Sequence, residues 1–157
     1  MGDRRTWVSA CLAALLVCGG CRSEDAQAQN QSEITGIASV IDGDTIEIHG
    51  ERIRLSGIDA PERDRMCAGG VNAYQRASLA LSDAIVRRTV QCSVSGQDRY
   101  GRHVAQCSVG GTDLGEQMVE AGWARDWRRY SGGRYADEEA RARAAGRGVW
   151  GLECPGL

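Results

Sequence analysis

The 157-residue chain contains no lysine and no phenylalanine, and it has only two histidines. All 19 basic residues are therefore arginines, which excludes mechanisms that need a Schiff-base or P-loop lysine and favours forked recognition of phosphate or carboxylate groups. Two histidines are too few for a multi-histidine metal site. The net charge of -2 gives no global signature of nucleic-acid binding, so a polyanion would have to be bound by a local cluster of arginines.

The first 28 residues have the pattern of an export signal. Arg4 and Arg5 precede a mostly apolar run over residues 8–17, and Ala26-Gln27-Ala28 fits a small-x-small cleavage site. The apolar run is too short to span a bilayer as a permanent helix. Residues 1–28 are therefore predicted to be a signal peptide.

An alternative cut before Cys21 would place a lipid anchor on that cysteine, because small residues, Gly19 and Gly20, precede it. With the cut after Ala28, residues 29–33 form a short tether and residues 34–157 form the single predicted domain. No internal repeat or low-complexity block interrupts this domain.

Four cysteines follow the leader, and an even number in an exported chain indicates two disulfides. Zinc binding is the alternative, but the mature chain has no C-x-x-C pair and its cysteine spacings are wide. Cys92 and Cys107 lie in two β-like runs on either side of a turn-rich stretch, so they are predicted to pair. Cys67 and Cys154 then pair by elimination.

The hydrophobic pattern alternates with period two in the first third of the domain and takes helical spacing after it. Turn residues separate the alternating runs, and an Asp113 capping signal opens the second helical run. Three strands are predicted over 34–41, 45–49 and 52–55, a helix over 71–88, two strands over 89–94 and 103–109, a short helix over 113–122 and a last helix from about 134. The order β-β-β-α-β-β-α-α fits a five-stranded OB-fold barrel with helices, an α+β fold.

Three acidic residues fall where a strand meets a turn. Asp44 shares the alternation of Ile46 and Ile48, which places its carboxylate at the mouth of the barrel. A carboxylate there is costly unless a hard, oxygen-binding cation or hydrogen-bond donors meet it. Asp59 and Glu62 follow the third strand and could divide the labour, with Asp59 on a metal and Glu62 facing a water. Taken singly, each acid is explained equally well by a solvated turn.

Two arginines complete this group. Arg54 alternates with Ile53 and Leu55 and so faces away from the core, and Arg102 lies in a glycine-containing turn before the fifth strand. A surface ion pair would explain either arginine alone. Together with the acids they suit phosphodiester hydrolysis, because a cation and two guanidiniums neutralise the charge that grows on the phosphate while a carboxylate activates water.

Three ordered motifs make the chain similar to the staphylococcal nuclease family. They are Val40-Ile41-Asp42-Gly43-Asp44-Thr45, the segment from Arg54-Leu55 through Asp59-Ala60-Pro61-Glu62, and Asp98-Arg99-Tyr100-Gly101-Arg102. The likeness continues to Gly148-Val149-Trp150 and covers nearly all of residues 35–150. The resemblance implies an OB-fold barrel with three helices and calcium-dependent cleavage of DNA and RNA.

The resemblance also implies a role for each matching residue. Asp44, Asp59 and the backbone carbonyl of Ala60 would bind Ca²⁺. The phosphate would be clamped at the scissile bond by Arg54 and Arg102, with Glu62 as the general base. The neighbouring phosphate would be held by Arg99 and Tyr100, and Asp42 would be an acid just behind the metal ligands.

The stretch after the second predicted helix is rich in arginine and aromatic residues. Arg128 stands where the type member of the family has an aromatic residue beside the nucleobase. The stretch either follows a nucleic-acid strand or is a solvated loop between helices. Its Trp127, like Trp123 and Trp150, is predicted to pack in the core or between helices.

The sequence therefore predicts an exported, calcium-dependent nuclease that cleaves DNA and RNA with little sequence preference. It is expected to be a monomer in the periplasm or outside a bacterial cell, and to touch a membrane only if Cys21 is lipidated. The alternative is a catalytically inactive OB-fold module that binds nucleic acid or protein. The intact set of acids and arginines favours the enzyme.

The mature amino terminus tests the leader prediction. We expect the exported chain to begin at Gln29, since the small-x-small site ends at Ala28. Intact-mass spectrometry of the protein purified from an expressing bacterium measures this directly. A chain that begins with a lipid-modified Cys21 would contradict the prediction and establish the lipid anchor.

Overall fold

The computed structural model describes residues 32–154. The predicted signal peptide, Cys21 and most of the predicted tether lie outside these residues. The strands are β1 (Glu33–Ile37), β2 (Ser39–Asp42), β3 (Thr45–Ile48), β4 (Glu51–Leu55), β5 (Ile58–Asp59), β6 (Met66–Cys67), β7 (Val71–Asn72), β8 (Thr89–Gln97), β9 (His103–Val109), β10 (Thr112–Asp113) and β11 (Arg125–Asp126). The helices are α1 (Ala73–Ile85), α2 (Leu114–Glu120), α3 (Arg128–Ser131) and α4 (Ala136–Ala144), with 3-10 turns at Ala68–Gly70 and Gly148–Gly151.

One curled sheet carries the fold, with strand order β1-β8-β9-β4-β3-β2. Neighbours are antiparallel except β4 and β9, which are parallel. β1 and β2 are halves of one bent strand, since β1 pairs with β8 and β2 pairs with β3. Both edges of the sheet therefore lead back to the same stretch of chain. The result is a half-barrel of five strands, counting β1 and β2 as one, and it confirms the predicted OB-type α+β fold.

The core lies on the inner face of the sheet, because successive strand residues point to opposite faces. Ile46, Ile48 and Ile53 are fully buried there. Helix α1 covers the sheet with a stripe of buried residues spaced four apart: Ala73, Ala77, Leu81 and Ile85. Aliphatic side chains thus form the core that a chain without phenylalanine needs.

The structure confirms the order of the longer predicted elements, adds the short strands β5, β6, β7, β10 and β11, and shifts several predicted bounds. The first predicted strand, 34–41, is broken at Ala38, because a single straight strand cannot pair with both β8 and β3. The helix predicted over 71–88 runs from Ala73 to Ile85 only. One turn of helix, α3, precedes α4; its four residues are too few to give a periodic signal.

Tyr135 ties the start of α4 to the start of α2. Asp113 caps α2 by accepting hydrogen bonds from the backbone N–H groups of Gly115 and Glu116, and its other oxygen accepts one from the Tyr135 hydroxyl at 3.1 Å. Burial, together with the nearby Asp113 carboxylate, raises the pKa of Tyr135 to about 12. The phenol therefore stays protonated and keeps α4 docked, which fixes the chain between α2 and α4 against the barrel.

Both predicted disulfides are present. Cys92 and Cys107 face each other across β8 and β9, with their Cα atoms 4.1 Å apart. Cys67 pairs with Cys154 across 87 residues, so it ties β6 to the end of the described chain. In the residues that the structure describes, no helix is long and apolar enough to cross a membrane.

Loss of each disulfide is expected to lower the free energy of unfolding by an amount that grows with the enclosed loop. Replacing Cys67 and Cys154 by alanine should cost about 4 to 5 kcal/mol, and replacing Cys92 and Cys107 should cost about 3 kcal/mol, because the open chain gains entropy in the unfolded state. Urea unfolding of the two double variants measures the difference. Equal losses, or a larger loss for the shorter loop, would contradict this explanation.

Candidate active site

Turns and strand ends surround a cavity of about 240 Å³. Every residue that the sequence assigned to catalysis, metal binding or phosphate binding lines it, and the structure adds three neighbours. The full lining is Asp42, Asp44, Arg54, Asp59, Ala60, Pro61, Glu62, Tyr74, Arg99, Tyr100, Arg102 and Trp127. Residues far apart in sequence thus meet in one cleft, which we call the acid–arginine cleft.

Asp44 is the most buried carboxylate of this cleft, at 7% exposure. Its Oδ1 lies 2.5 Å from Arg54 Nη1 and accepts a hydrogen bond from the Thr45 hydroxyl at 3.1 Å. Its Oδ2 accepts a hydrogen bond from the Ala60 backbone N–H at 3.2 Å. Burial raises the pKa of Asp44 above its ordinary value, and the nearby Asp42 adds to this, although Arg54 opposes it. The effect of burial on this carboxylate therefore outweighs that of Arg54.

The turn before Asp44 reaches this position because residue 43 is glycine. A Cβ at Gly43 would lie 2.6 Å from the Cβ of Ala77 and 2.8 Å from that of Ala60. Both distances are shorter than any real contact, so only glycine lets the turn pack against α1. Asp42 holds the turn from within, since its Oδ1 accepts the Asp44 backbone N–H at 3.1 Å.

Arg54 comes from the outer face of β4. Thr45 and Arg54 are direct partners across β3 and β4, which sets the arginine beside Asp44. Its Nη2 donates to the Ile58 carbonyl at 3.2 Å and lies 3.9 Å from Asp59 Oδ1. The guanidinium also stacks on Trp127, 5.2 Å from the ring centre. The predicted orientation away from the core is right, but Trp127 covers that face.

Asp59 is shared between two arginines. Its Oδ1 faces Arg54, and its Oδ2 accepts a hydrogen bond from Arg125 Nη2 at 2.9 Å. Arg125 stands directly opposite Asp59 in the short β5–β11 pair. The carboxylate is thus fixed from both sides, with one oxygen turned toward the acid–arginine cleft.

Arg102 is held by the turn between β8 and β9. Asp98 accepts hydrogen bonds from the backbone N–H groups of Tyr100 and Arg102 and from Arg102 Nε, the last at 2.7 Å. Burial acts to raise the pKa of Asp98, but these hydrogen bonds outweigh it and hold the pKa below its ordinary value. Arg102 Nη1 lies 3.4 Å from the Thr45 hydroxyl, which in turn donates to Asp44. One hydroxyl thus links the second arginine to the buried carboxylate.

Three further predicted residues stand at the rim of the cleft. Glu62 is exposed and lines the cavity. Arg99 Nη2 donates to the Tyr100 hydroxyl at 2.7 Å, and the Tyr100 ring also lies 5.5 Å from the Arg102 guanidinium. Arg99 and Arg102 thus both lie close to one exposed aromatic ring.

The donor set fits a hard divalent cation. Calcium prefers oxygen ligands from carboxylates, backbone carbonyls and waters, and Asp44 and Asp59 offer carboxylate oxygens on the two sides of Arg54. The pKa of Asp44, raised by burial, marks a carboxylate that an added positive charge would stabilise. Over residues 32–154 no group of three or more His, Cys, Asp or Glu side chains has metal-binding geometry. A cation here would therefore need backbone and water oxygens besides the two carboxylates.

Four residues that shape the cleft have no role in the prediction from sequence: Thr45, Asp98, Arg125 and Trp127. The prediction of Trp127 as a packing residue is wrong, since this side chain is 38% exposed and lines the cleft. Its position in an arginine-rich stretch was the available signal. Arg125 lies in the same stretch, but its pairing with Asp59 could not be predicted, because the two residues are 66 apart in sequence.

A curled OB-type sheet with two arginines and two carboxylates converging at its strand ends defines a domain suited to phosphodiester chemistry. Residues 52–151 match the model of staphylococcal nuclease homologues. The chain therefore belongs to the staphylococcal nuclease family.

Two curated proteins are similar to the chain. It is 38% identical over 149 residues to the succinoglycan biosynthesis protein ExoI of Rhizobium meliloti, a match that covers 91% of this chain and 74% of that protein. It is 30% identical over 115 residues to the probable endonuclease LCL3 of Schizophyllum commune, a match that covers 62% of this chain and 39% of that protein. The second match thus spans well under half of its relative.

The Asp44–Arg54 pair yields a stability prediction. Arg54→Met should lower the free energy of unfolding by about 3 kcal/mol, because it leaves a buried carboxylate without its cationic partner. Adding Asp44→Asn to that variant should restore part of the loss, since the unpaired charge is then gone. Urea unfolding in the presence of EGTA measures both. If Asp44→Asn lowers the free energy of unfolding of the Arg54→Met variant as much as it lowers that of the unchanged protein, the two residues are not coupled.

Proposed function

We propose that this protein is an exported nuclease that hydrolyses phosphodiester bonds of DNA and RNA with Ca²⁺ as cofactor and little sequence preference. The observation that carries the proposal is the Thr45 hydroxyl, which connects Arg102 to the Asp44–Arg54 pair in one cleft. Two guanidiniums from distant parts of the sequence are thereby held close to the carboxylates of Asp44 and Asp59. Membership of the staphylococcal nuclease family supports the reaction class.

Calcium would be held by Asp44, Asp59 and the backbone carbonyl of Ala60. When bound, the ion would supply a Lewis acid and positive charge next to the phosphate. The raised pKa of Asp44 supports this assignment. Both carboxylates face Arg54, yet burial still disfavours the charged form of Asp44, and a bound cation would offset that cost. Asp42 would contribute indirectly, because its side chain accepts a hydrogen bond from the Asp44 backbone N–H and so fixes the turn that positions Asp44.

Arg54 and Arg102 would neutralise the non-bridging oxygens of the scissile phosphate. A phosphodiester carries one negative charge, and attack by hydroxide adds another, so donors that are already in position stabilise the transition state more than the ground state. Both guanidiniums are pre-positioned: Arg54 by Asp44 and the Trp127 ring, and Arg102 by Asp98. Neither contact uses all five N–H donors of a guanidinium, so donors are left for phosphate.

Glu62 would be the general base. Its carboxylate is exposed at the rim of the same cavity, where a water can reach both it and a bound phosphate. Taking a proton from that water would generate the nucleophile, and the proton would then be free to pass to solvent or to the leaving oxygen. Arg99 and Tyr100 would bind a neighbouring phosphate from the side of Arg102.

Export is proposed from the leader, and the two disulfides support it because such bonds persist in oxidising compartments. We infer a periplasmic or secreted monomer, with a lipid anchor only if Cys21 is modified. One relative is a succinoglycan biosynthesis protein and the other is a probable endonuclease. The catalytic acids and arginines of this chain favour the endonuclease role over a catalytically inactive binding module.

The proposal predicts that cleavage needs both calcium and Glu62. Oxidised residues 29–157 should cut labelled single-stranded DNA and RNA in Ca²⁺ and should leave both intact in excess EGTA. Glu62→Gln should lower the rate by roughly 100- to 10,000-fold, the usual contribution of a general base, with little change in stability because the side chain is exposed. Gel electrophoresis of the products measures the rate.

Glu33→Gln is the matched control, since it removes the same charge from an exposed residue that lines no part of the cleft. It should cleave as fast as the unchanged protein. A folded protein that binds DNA but cuts neither nucleic acid with any divalent ion would overturn the enzyme and favour the inactive binding module. Cleavage that survives in Glu62→Gln would keep the nuclease and remove Glu62 as its base.

A further inference from the structure

A second cavity lies beside the acid–arginine cleft, and its arginines have no role in the proposed reaction. Its volume is about 410 Å³. Four arginines line it, Arg125, Arg128, Arg129 and Arg143, and we call it the second arginine pocket. We propose that this pocket binds a backbone phosphate of the same single strand whose scissile phosphate lies in the cleft. The inference rests on the proposed function and extends its substrate from one phosphodiester to a longer strand.

Continuity with the cleft is the first support. Asp59 and Trp127 line both cavities. Asp59 contacts Arg54 on the cleft side and Arg125 on the pocket side. A strand that runs along the exposed edge of Trp127 therefore passes from one set of arginines directly to the next.

The arginines of the pocket are held in place, as a phosphate site requires. The guanidinium of Arg143 lies 4.1 Å from the ring centre of Trp150, and its Nη2 is 3.4 Å from Glu139. Arg129 lies over Tyr130, at 5.7 Å from the ring centre. A guanidinium fixed on one side keeps its other N–H donors for a ligand and loses less entropy when the ligand binds.

Burial decides which charges a ligand would meet. Three acids line the pocket: the side chains of Asp126 and Glu139 are 0% and 9% exposed, and that of Asp59, at 32%, is paired with Arg125. Arg128 and Arg143 are 72% and 55% exposed. Asp126 and Glu139 are thus buried while Arg128 and Arg143 remain exposed, so most of the accessible charge is cationic. If these were ordinary surface ion pairs, the acids and the arginines would be exposed to solvent to the same extent.

The overall charge makes a local site necessary. The chain has a net charge of -2, so long-range attraction does not hold a polyanion against it. Arg99 and Arg102 lie on one side of the cleft, and the second arginine pocket lies beyond Trp127. A single strand carries one phosphate per nucleotide and can meet both groups at once, whereas a substrate with one phosphodiester can use the cleft alone.

The double variant Arg128→Gln/Arg129→Gln tests the inference, since neither residue belongs to the proposed catalytic machinery. The probes are a single-stranded DNA of about twelve nucleotides, within the usual site size of such proteins, and a dinucleotide with one phosphodiester. Fluorescence anisotropy in EGTA gives the affinity for the longer probe over a range of salt concentrations. Cleavage in Ca²⁺ gives KM and kcat for both probes.

We expect the slope of log K against log salt for the longer probe to become shallower by about 0.7, because the pocket holds one phosphate and each lost phosphate contact on a single strand removes about that much. KM for that probe should rise several-fold with kcat unchanged, and the dinucleotide should be cleaved as before. Arg76→Gln/Arg88→Gln is the matched control: it removes the same charge from exposed positions that line neither cavity.

A salt slope equal to that of the control would overturn the inference, as would an equal loss on the dinucleotide. A protein that binds the longer probe but cuts neither would contradict the proposed nuclease alone, and the slopes of the two double variants would still decide the role of the pocket. A protein that binds neither probe would overturn both.

Discussion

The buried carboxylate of Asp44 is the constraint on which the rest of the site depends. A charge at 7% exposure is tolerated only where donors and cations surround it, and the chain supplies Arg54, the Thr45 hydroxyl and the Ala60 N–H. Each of these partners belongs to a different part of the cleft. The hydrogen bonds and the ion pair of this one carboxylate therefore hold β3, β4 and the segment after β5 together.

The barrel makes that convergence possible. The bend at Ala38 lets one strand close both edges of the sheet, and Gly43 lets the following turn reach α1 and Ala60. The β8–β9 turn then carries Arg102 to the Thr45 hydroxyl, a link across 57 residues of sequence. Strand pairing and the close contact at Gly43 thus position the side chains of the cleft, and the disulfides stabilise the fold away from it.

Much of the fold could be predicted from the sequence because its signals are local. Alternation identified the strands, and the Asp113 cap marked the start of α2. The cysteine pairing followed from strand-like runs around Cys92 and Cys107. Within the site, the motifs identified the residues that line the cleft. What the sequence could not give were long-range partners without local signal, such as Arg125 on Asp59, and the exposed position of Trp127.

The most direct measurement is a crystal structure of the oxidised protein with Ca²⁺ and a phosphorothioate oligonucleotide that resists cleavage. The account predicts one ion held between Asp44 and Asp59, with a phosphate bridging Arg54 and Arg102 and Glu62 facing a water next to it. An oligonucleotide bound on another face of the barrel, with the Asp44–Arg54 pair unchanged and no ion beside it, would contradict the central claim.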